Sequence, residues 1–337
     1  MAQTEVGARE ARRSTTISLT GVFSVLAVAS ACSSSSVHPS NESGGPSTLA
    51  QDDYPFDLAV DDEFVYWTAQ GPRPGVSAEG AVRRMRKDGS GAVETLASNL
   101  AAPNRIVLDE SYVYWTNSGL TNQPGSVMRV EKTGGAPVEL ATGLAIPVGI
   151  GLHDGSLYFS SVDVEGTPAQ NPVYELPVGP TPTKPKLLGH VPYDAGVIAP
   201  TADGVWGVSR GSGAVWRLPY TATEPDVVDS ELANPTAITA TDIGVVVAEF
   251  AVHAKVVLFK TGMTTPSPIA DEQDRCGDVA ADSSHIYWAS FGAGEIWREQ
   301  FAAGSPERVL VNEPNANGVV VDADAVYFAR YGPDDGS

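Results

Sequence analysis

A short motif that returns about every forty to fifty residues constrains this chain more than any other feature. Each copy is an apolar run, a turn that usually carries an aspartate, and a second run with a pair of aromatic or apolar residues. The second residue of that pair falls at Trp67, Trp115, Phe159, Gly207, Val247, Trp288 and Phe328. Repeats of this length, built from strand-forming residues, are typical of propeller blades. We therefore predict an all-β, seven-bladed β-propeller of four-stranded antiparallel blades.

The composition agrees with many short strands joined by tight turns. The chain has 34 glycines and 25 prolines, the residues that supply the backbone conformations such turns need. The repeats run without a break, so we expect one domain over residues 46–337.

The last repeat is incomplete, because only residues 331–337 follow its second strand. Residues 46–50 resemble the fourth strand of another repeat, so we predict that an N-terminal strand closes the ring and removes an open sheet edge. A third strand near Val37 is the weaker alternative, because Pro39 lacks the amide that a ladder requires.

The N-terminus resembles an export signal. Three arginines precede residues 17–31, which are uncharged and mostly apolar but too short to span a bilayer comfortably. We predict a signal peptide over residues 1–31 and a tether over residues 32–45.

The end of this signal resembles the lipobox of bacterial lipoproteins, with Ala29 where leucine is usual. The resemblance implies that Cys32 carries a lipid. It also implies export to the outer membrane or periplasm, since Ser33 is not aspartate. Simple cleavage after Ala31 is the alternative.

The charge balance restricts the partners. A formal net charge of −20 repels phosphate backbones, so we expect no nucleic-acid binding. We expect a monomer that meets the membrane only through its lipid and binds an envelope or extracellular protein or a small ligand.

Polar residues open several of the predicted innermost strands, and these positions meet around the mouth of the central channel. They are Asp57, Asn104, Arg105, Asp278 and Asn317. Carboxylate and amide oxygens suit Ca²⁺ or another divalent cation, so Asp57 and Asp278 are the candidate metal ligands, although no cofactor is required. Arg105 adds a competing positive charge. The alternative is that these residues cap strand ends.

Other recurring residues have structural interpretations. We predict that Asp61, Asp109, Asp282 and Asp322 bond their own hairpins. We predict that Arg84, Arg129, Arg217 and Arg298 pair with carboxylates of a neighbouring blade. Cys276 is predicted to be a small buried residue rather than a nucleophile.

Three copies of the motif carry a family resemblance. Tyr114-Trp115-Thr116-Asn117, Tyr66-Trp67-Thr68 and Tyr287-Trp288-Ala289 resemble the YWTD repeats of low-density-lipoprotein-receptor propellers. The chain is also similar to bacterial secreted propellers of the YWTD, NHL and Kelch-like type. The YWTD resemblance implies protein binding without catalysis, although that family usually has six blades.

The sequence therefore favours a lipid-anchored binding scaffold. Long loops at residues 69–80, 117–125 and 161–172 are candidates for its recognition surface. One alternative is a divalent-metal-dependent hydrolase of the lactonase type at the channel mouth, because lactonases of the gluconolactonase type use a comparable set of residues. A purely structural envelope protein is the other alternative.

Overall fold

The computed structural model describes residues 23–29, 47–162, 171–191, 196–301 and 304–330, with side chains for all of these except 23–29. The regular structure in these ranges is β-strand, and none of the described residues forms a helix that could cross a membrane. In chain order the strands are β1 (Phe23–Ala29), β2 (Ser47–Asp52), β3 (Pro55–Val60), β4 (Phe64–Ala69), β5 (Gly80–Arg86), β6 (Glu94–Leu100), β7 (Pro103–Leu108), β8 (Tyr112–Asn117), β9 (Gly125–Glu131), β10 (Val138–Leu144), β11 (Ile146–His153), β12 (Ser156–Val162), β13 (Asn171–Pro177), β14 (Lys186–Val191), β15 (Ile198–Thr201), β16 (Gly204–Ser209), β17 (Ala214–Leu218), β18 (Asp226–Asp229), β19 (Pro235–Thr241), β20 (Gly244–Glu249), β21 (Val252–Lys260), β22 (Ser267–Asp274), β23 (Cys276–Ala281), β24 (His285–Ser290), β25 (Glu295–Gln300), β26 (Glu307–Leu310), β27 (Ala316–Val321) and β28 (Ala325–Arg330).

The strands between β3 and β26 form antiparallel sheets of four consecutive strands each, which are the blades of a β-propeller. These sheets are β3–β6, β7–β10, β11–β14, β15–β18, β19–β22 and β23–β26. The first strand of each sheet contacts the first strand of the next, as β3 contacts β7 and β19 contacts β23. The predicted all-β propeller of four-stranded antiparallel blades is confirmed.

A further four-stranded sheet combines strands from both ends of the chain, in the order β2-β1-β28-β27. Strand β2 is its outer strand, and β1 lies between β2 and β28, with Val25 opposite Ala329. Strand β1 lies within residues 1–31, the predicted signal peptide. A short apolar run without charges fits a signal core and a β-strand equally well. The alternative third strand near Val37 falls outside the described residues.

The core lies between adjacent blades because each strand alternates its side chains between two sheet faces. Trp67 of β4 has no exposed surface, and it packs in one cluster with Met85 of its own blade and Tyr327 of β28. Trp288 of β24 is also fully buried, in a cluster with residues of β19–β23. Where the repeated position is aromatic, as at Trp67 and Trp288, it therefore supplies a contact that joins its blade to a neighbour.

The degenerate repeat at Gly207 has a packing explanation. Gly207 of β16 lies opposite Trp216 of β17, and a Cβ atom on Gly207 would overlap the indole ring. Trp216 itself is fully buried. A large side chain on the third strand thus fills the space that the second strand's aromatic residue fills in other blades.

The recurring aspartates have the predicted structural role. Asp61 Oδ1 accepts hydrogen bonds from the amides of Glu63 and Phe64, at 3.0 and 2.8 Å. Its other oxygen accepts a hydrogen bond from the hydroxyl of Tyr66, at 2.9 Å. The same aspartate-to-tyrosine bond recurs at Asp109 and Asp282. Asp322 accepts the amides of its own hairpin in the same way.

The predicted partners of the recurring arginines were wrong. Arg84, Arg217 and Arg298 pair with carboxylates of their own sheets, at Glu94, Asp226 and Glu307. Arg129 donates instead to the backbone carbonyls of Gly179 and Pro180, in the next blade. The third and fourth strands of one sheet are adjacent, so a cross-strand carboxylate is nearer than one on another blade.

Candidate binding site at the channel mouth

The innermost strands surround a central channel. A cavity of about 330 Å³ occupies it, lined by residues of β3, β7, β11, β15, β19, β23 and β27. Most of the lining side chains are aliphatic, and Asp57, Arg105, Thr239 and Asp278 are the polar ones. The channel is thus an aliphatic cavity with a charged cluster, Asp57–Arg105–Asp278, to which three different blades contribute.

Arg105 joins the two carboxylates of this cluster. Its Nη1 atom lies 3.3 Å from Asp57 Oδ1, a hydrogen-bonded ion pair, and 3.9 Å from Asp278 Oδ1. The exposed fractions of the three side chains are 11% for Asp57, 17% for Arg105 and 14% for Asp278. The guanidinium carbon also lies 5.8 Å from the ring centroid of Phe56. One guanidinium therefore serves two poorly hydrated carboxylates.

Both aspartates also bind the backbone of the next blade. Asp57 Oδ2 accepts a hydrogen bond from the amide of Ile106 at 2.9 Å, and Asp278 Oδ2 accepts one from the amide of Val319 at 3.1 Å. These bonds agree with the structural interpretation of the mouth residues. Each carboxylate nevertheless keeps its second oxygen on the side of Arg105, so a structural and a ligand-binding role are compatible.

Burial sets the protonation behaviour of the cluster. Desolvation raises the pKa of Asp57, and the attraction of Arg105 opposes this rise. Desolvation also raises the pKa of Asp278 to about 6, with Arg105 lowering it and the charge of Asp57 raising it further. The single positive charge of Arg105 therefore balances only one of the two carboxylates, and one negative charge in the cluster is uncompensated at neutral pH.

The two asparagines predicted at the mouth behave differently from the charged residues. Asn104 donates from Nδ2 to Ser118 Oγ at 2.9 Å and does not line the cavity. The side chain of Asn317 packs against Gly277, where a Cβ atom would overlap its Oδ1. The structure thus brings Asp57, Arg105 and Asp278 together and leaves the asparagines beside them.

Sequence reasoning missed the hydroxyl groups that link the innermost strands. Thr68 Oγ1 accepts the amide of Asp57 at 3.2 Å and donates to the carbonyl of Asn104, in the next blade, at 2.6 Å. Thr116 and Ser160 make the equivalent pairs of bonds in the following two blades. The signal was present in the sequence, because Thr68 and Thr116 follow the tryptophans of the repeat.

Changing Thr68 to valine should lower the free energy of unfolding by about 2 to 3 kcal/mol, because it leaves a buried amide and a carbonyl without this partner. The ladder between β3 and β4 is shifted between Pro55 and Asp57, so no regular strand bond replaces the hydroxyl. Urea unfolding measures the change. The serine variant keeps the hydroxyl and is the control; equal losses in both variants would contradict a hydrogen-bonding role.

The structure describes two of the predicted long loops. Residues 69–80 connect β4 to β5, and residues 117–125 connect β8 to β9. In residues 69–80, Glu79 pairs with Arg73 at 3.1 Å and accepts a bond from Ser77, while Val76 is 72% exposed. In the second loop, Leu120 and Gln123 form a bridge that closes a small turn. The third loop falls largely outside the described residues.

Two possible nucleophiles lack a suitable environment. Cys276 is fully buried, and desolvation raises the pKa of its thiol to about 12, which agrees with the predicted inert role. Gly207-Val208-Ser209-Arg210-Gly211 has the Gly-x-Ser-x-Gly spacing of a nucleophile elbow. Ser209 ends β16 in a β-hairpin and is fully buried, whereas a nucleophile elbow leads from a strand into a helix.

The donor set at the mouth also restricts metal binding. No group of three or more histidine, cysteine, aspartate or glutamate side chains within the described ranges is arranged to hold a metal ion. Ca²⁺ takes about six to eight oxygen ligands. Two carboxylates that already share a guanidinium fit such an ion poorly.

Comparisons with known proteins bear on the fold alone. No protein-family profile and no curated protein sequence matches the chain. A chain from the crystal structure of a nidogen/laminin complex is 18% identical, with a TM-score of 0.52, over 73% of this chain and 92% of that chain. The computationally designed protein Ika8 is 10% identical, with a TM-score of 0.55, over 83% and 96%. Human WBSCR16 is 12% identical, with a TM-score of 0.56, over 91% and 99%.

Proposed function

We propose that this protein is a binding scaffold whose ligand or partner contacts the face that carries the channel mouth. The observation that carries this proposal is the Asp57–Arg105–Asp278 cluster in a preformed cavity of about 330 Å³. Cavities with a few convergent polar groups are the usual small-ligand sites of proteins. The structural similarity to a chain of a nidogen/laminin complex gives further support for partner binding.

We also propose that the sheets close into a seven-bladed ring with the help of the N-terminal segment. Lys87 in the β3–β6 blade pairs with Asp322 in the β27–β28 hairpin at 2.7 Å, as Lys132 pairs with Asp61 one blade further on. Asp52, at the end of β2, accepts the indole N–H of Trp67 at 2.6 Å.

The same device occurs between two other blades. Gln273, at the end of β22, accepts the indole N–H of Trp288 at 2.9 Å. In both cases the outermost strand of one blade holds the tryptophan of the next. Strand β2 thus has the position that an outermost strand has elsewhere, which supports closure.

The export signal and the lipid on Cys32 remain part of the proposal. Strand β1 and the signal peptide use the same residues, so cleavage before Cys32 would remove β1 from its sheet. The mass of the N-terminal peptide of protein made in a bacterium with lipoprotein processing tests this point. An acylated Cys32 supports the anchor, and a retained Phe23–Ala29 segment contradicts it.

The partner surface is proposed to include the loops at 69–80 and 117–125, beside the channel mouth. The exposed Val76 and the Arg73–Glu79 pair offer apolar and charged contacts there. A metal-dependent hydrolase remains a hypothesis for the same mouth. A divalent ion between Asp57 and Asp278 would have to displace Arg105 from both carboxylates.

A screen of small molecules by thermal unfolding, followed by mass analysis of each hit, tests the scaffold against the hydrolase. A ligand that binds only the folded state raises its stability by about 2.7 kcal/mol at a hundred times its dissociation constant. Hits recovered unchanged, and weakened by Asp57→Asn, support a scaffold. Hits recovered as hydrolysed products, with a dependence on added Ca²⁺ or Zn²⁺, would replace the scaffold by the hydrolase.

A further inference from the structure

The charged cluster of the channel has one positive and two negative members. Asp57 and Asp278 come from β3 and β23, and Arg105 comes from β7. The only other polar side chain among the residues that line the cavity is Thr239, which is uncharged. The cavity therefore carries a net charge of −1 when both carboxylates are ionised.

The two carboxylates share the guanidinium unequally. Asp57 receives a hydrogen bond from Arg105 at 3.3 Å, whereas Asp278 Oδ1 lies 3.9 Å from the same nitrogen, beyond hydrogen-bond distance. Asp278 Oδ2 is engaged by the amide of Val319. The oxygen of Asp278 that faces the cluster is thus held less closely by Arg105 than the matching oxygen of Asp57, and it is the oxygen that a further charged donor would bind.

Protonation behaviour agrees with this geometry. Burial raises the pKa of Asp278 to about 6, which means that its charge is poorly stabilised in the unliganded protein. A bound cation would stabilise that charge. Negative and positive groups would then alternate in the order Asp57, Arg105, Asp278 and the cation.

We propose that the channel binds a small organic cation, with a primary ammonium group beside Asp278 and a short aliphatic body in the cavity. This inference rests on the proposed scaffold function and names the ligand class. The cavity volume of about 330 Å³ is near the lower end of the range for ligand pockets, about 300 to 1,000 Å³, so the ligand is small.

The walls of the cavity select the body of the ligand. Most of the other lining side chains are aliphatic and include Ile106, Ile150, Val279 and Val319. An ammonium group donates three hydrogen bonds and needs no fixed coordination geometry, whereas a divalent metal between the two carboxylates would have to displace Arg105 from both of them. An aliphatic ammonium ion fits both the charge and the walls.

Isothermal titration of the whole chain with n-butylammonium chloride tests the proposal, in 150 mM NaCl so that general attraction to the acidic protein is screened. Butyrate and n-butanol have the same body without the cation, and CaCl₂ supplies the metal alone. We expect binding of butylammonium and at least tenfold weaker binding of the other three probes.

Two aspartate variants locate the site. Asp278→Asn keeps an acceptor for the Val319 amide, removes the charge, and should weaken butylammonium binding at least tenfold. Asp62→Asn makes the same change of net charge at an exposed residue in the turn between β3 and β4 and should leave the affinity unchanged. Equal losses in both variants would overturn the proposal, since binding would then follow overall charge.

The pH dependence gives a second readout that does not require a variant. With a pKa of about 6 for Asp278, its ionised fraction falls about tenfold between pH 7.5 and pH 5. Butylammonium affinity should fall by roughly the same factor. An affinity that is constant over this range overturns the proposal, because the ammonium group then does not bind the ionised form of Asp278.

Failure of this inference can be distinguished from failure of the scaffold. If butylammonium does not bind while another compound binds and is weakened by Asp57→Asn, the cation class is wrong and the scaffold stands. If butanol or butyrate binds as tightly as butylammonium, the cation proposal is also overturned. If Ca²⁺ binds and is lost in Asp278→Asn, the site is a metal site instead.

Discussion

Arg105→Ala is expected to lower the free energy of unfolding by about 3 to 5 kcal/mol at pH 7.5, because it leaves buried charges without their partner. The Asp57 side chain is only 11% exposed, so water replaces the guanidinium poorly. The Arg105 side chain is itself only 17% exposed, which excludes the weak pairing that surface ion pairs show. Urea unfolding followed by tryptophan fluorescence measures the change.

Arg105→Ala should lower the free energy of unfolding less at pH 5 than at pH 7.5. Asp278 already has a folded-state pKa of about 6, above its unfolded value of about 3.9. The folded state therefore binds a proton at Asp278 more readily than the unfolded state does. Without Arg105 both carboxyl groups titrate at still higher pH. Protonation as pH falls through this window then removes the uncompensated charge and recovers stability.

Arg73→Ala is the matched control for Arg105→Ala. Arg73 pairs with Glu79 at 3.1 Å, but its side chain is 62% exposed, so its removal should change the free energy of unfolding by about 0 to 1 kcal/mol at either pH. A loss for Arg105→Ala that is equally small, or that grows as the pH falls, would contradict the electrostatic account of the channel mouth.

The repeat made the fold predictable, because the position of each aromatic residue is also its position in the packing between blades. Trp67, Trp115 and Trp288 are all fully buried. The hairpin aspartates were equally predictable, since the bonds of Asp61 within its own turn and to Tyr66 are local, although its ion pair with Lys132 of the next blade is not. Local periodicity and local hydrogen bonding are properties of the sequence itself.

Features that depend on distances between blades were less predictable from the sequence. The first-strand positions correctly indicated that Asp57, Arg105 and Asp278 approach one another, but not that Arg105 lies between the carboxylates. The partners of Arg84 and Arg129 depend on which group is nearest after folding, and sequence spacing does not give that distance. The bridging role of Thr68 likewise depends on a register shift that periodicity does not record.

The apolar segment at residues 17–31 shows a different limit. The same residues have the composition of a signal core and form the strand Phe23–Ala29. Composition alone cannot choose between two environments that both favour apolar residues. The choice depends on processing, which the N-terminal mass described above measures.

Deletion of residues 47–52, the whole of β2, is expected to lower the free energy of unfolding by at least about 3 to 5 kcal/mol or to abolish cooperative unfolding. Ala50 is 6% exposed and packs in the cluster that contains Trp67 and Tyr327. The deletion also removes the carboxylate of Asp52, which binds the Trp67 indole and pairs with Arg83. A buried indole N–H left without a partner contributes about 1 to 3 kcal/mol of this loss.

Deletion of residues 33–45 is the control, because it shortens the same region while β2 remains. That variant should unfold with a midpoint close to that of the parent, whereas the β2 deletion should show a lower midpoint and a smaller denaturant dependence if the blade opens. A narrower test is Asp52→Asn, which keeps an acceptor for Trp67 but removes the charge that faces Arg83, and should lie between the two. Equal stability of the parent and the β2 deletion would show that the blade formed by β27 and β28 holds against the next blade without the N-terminal strand, and the proposed closure would then be wrong.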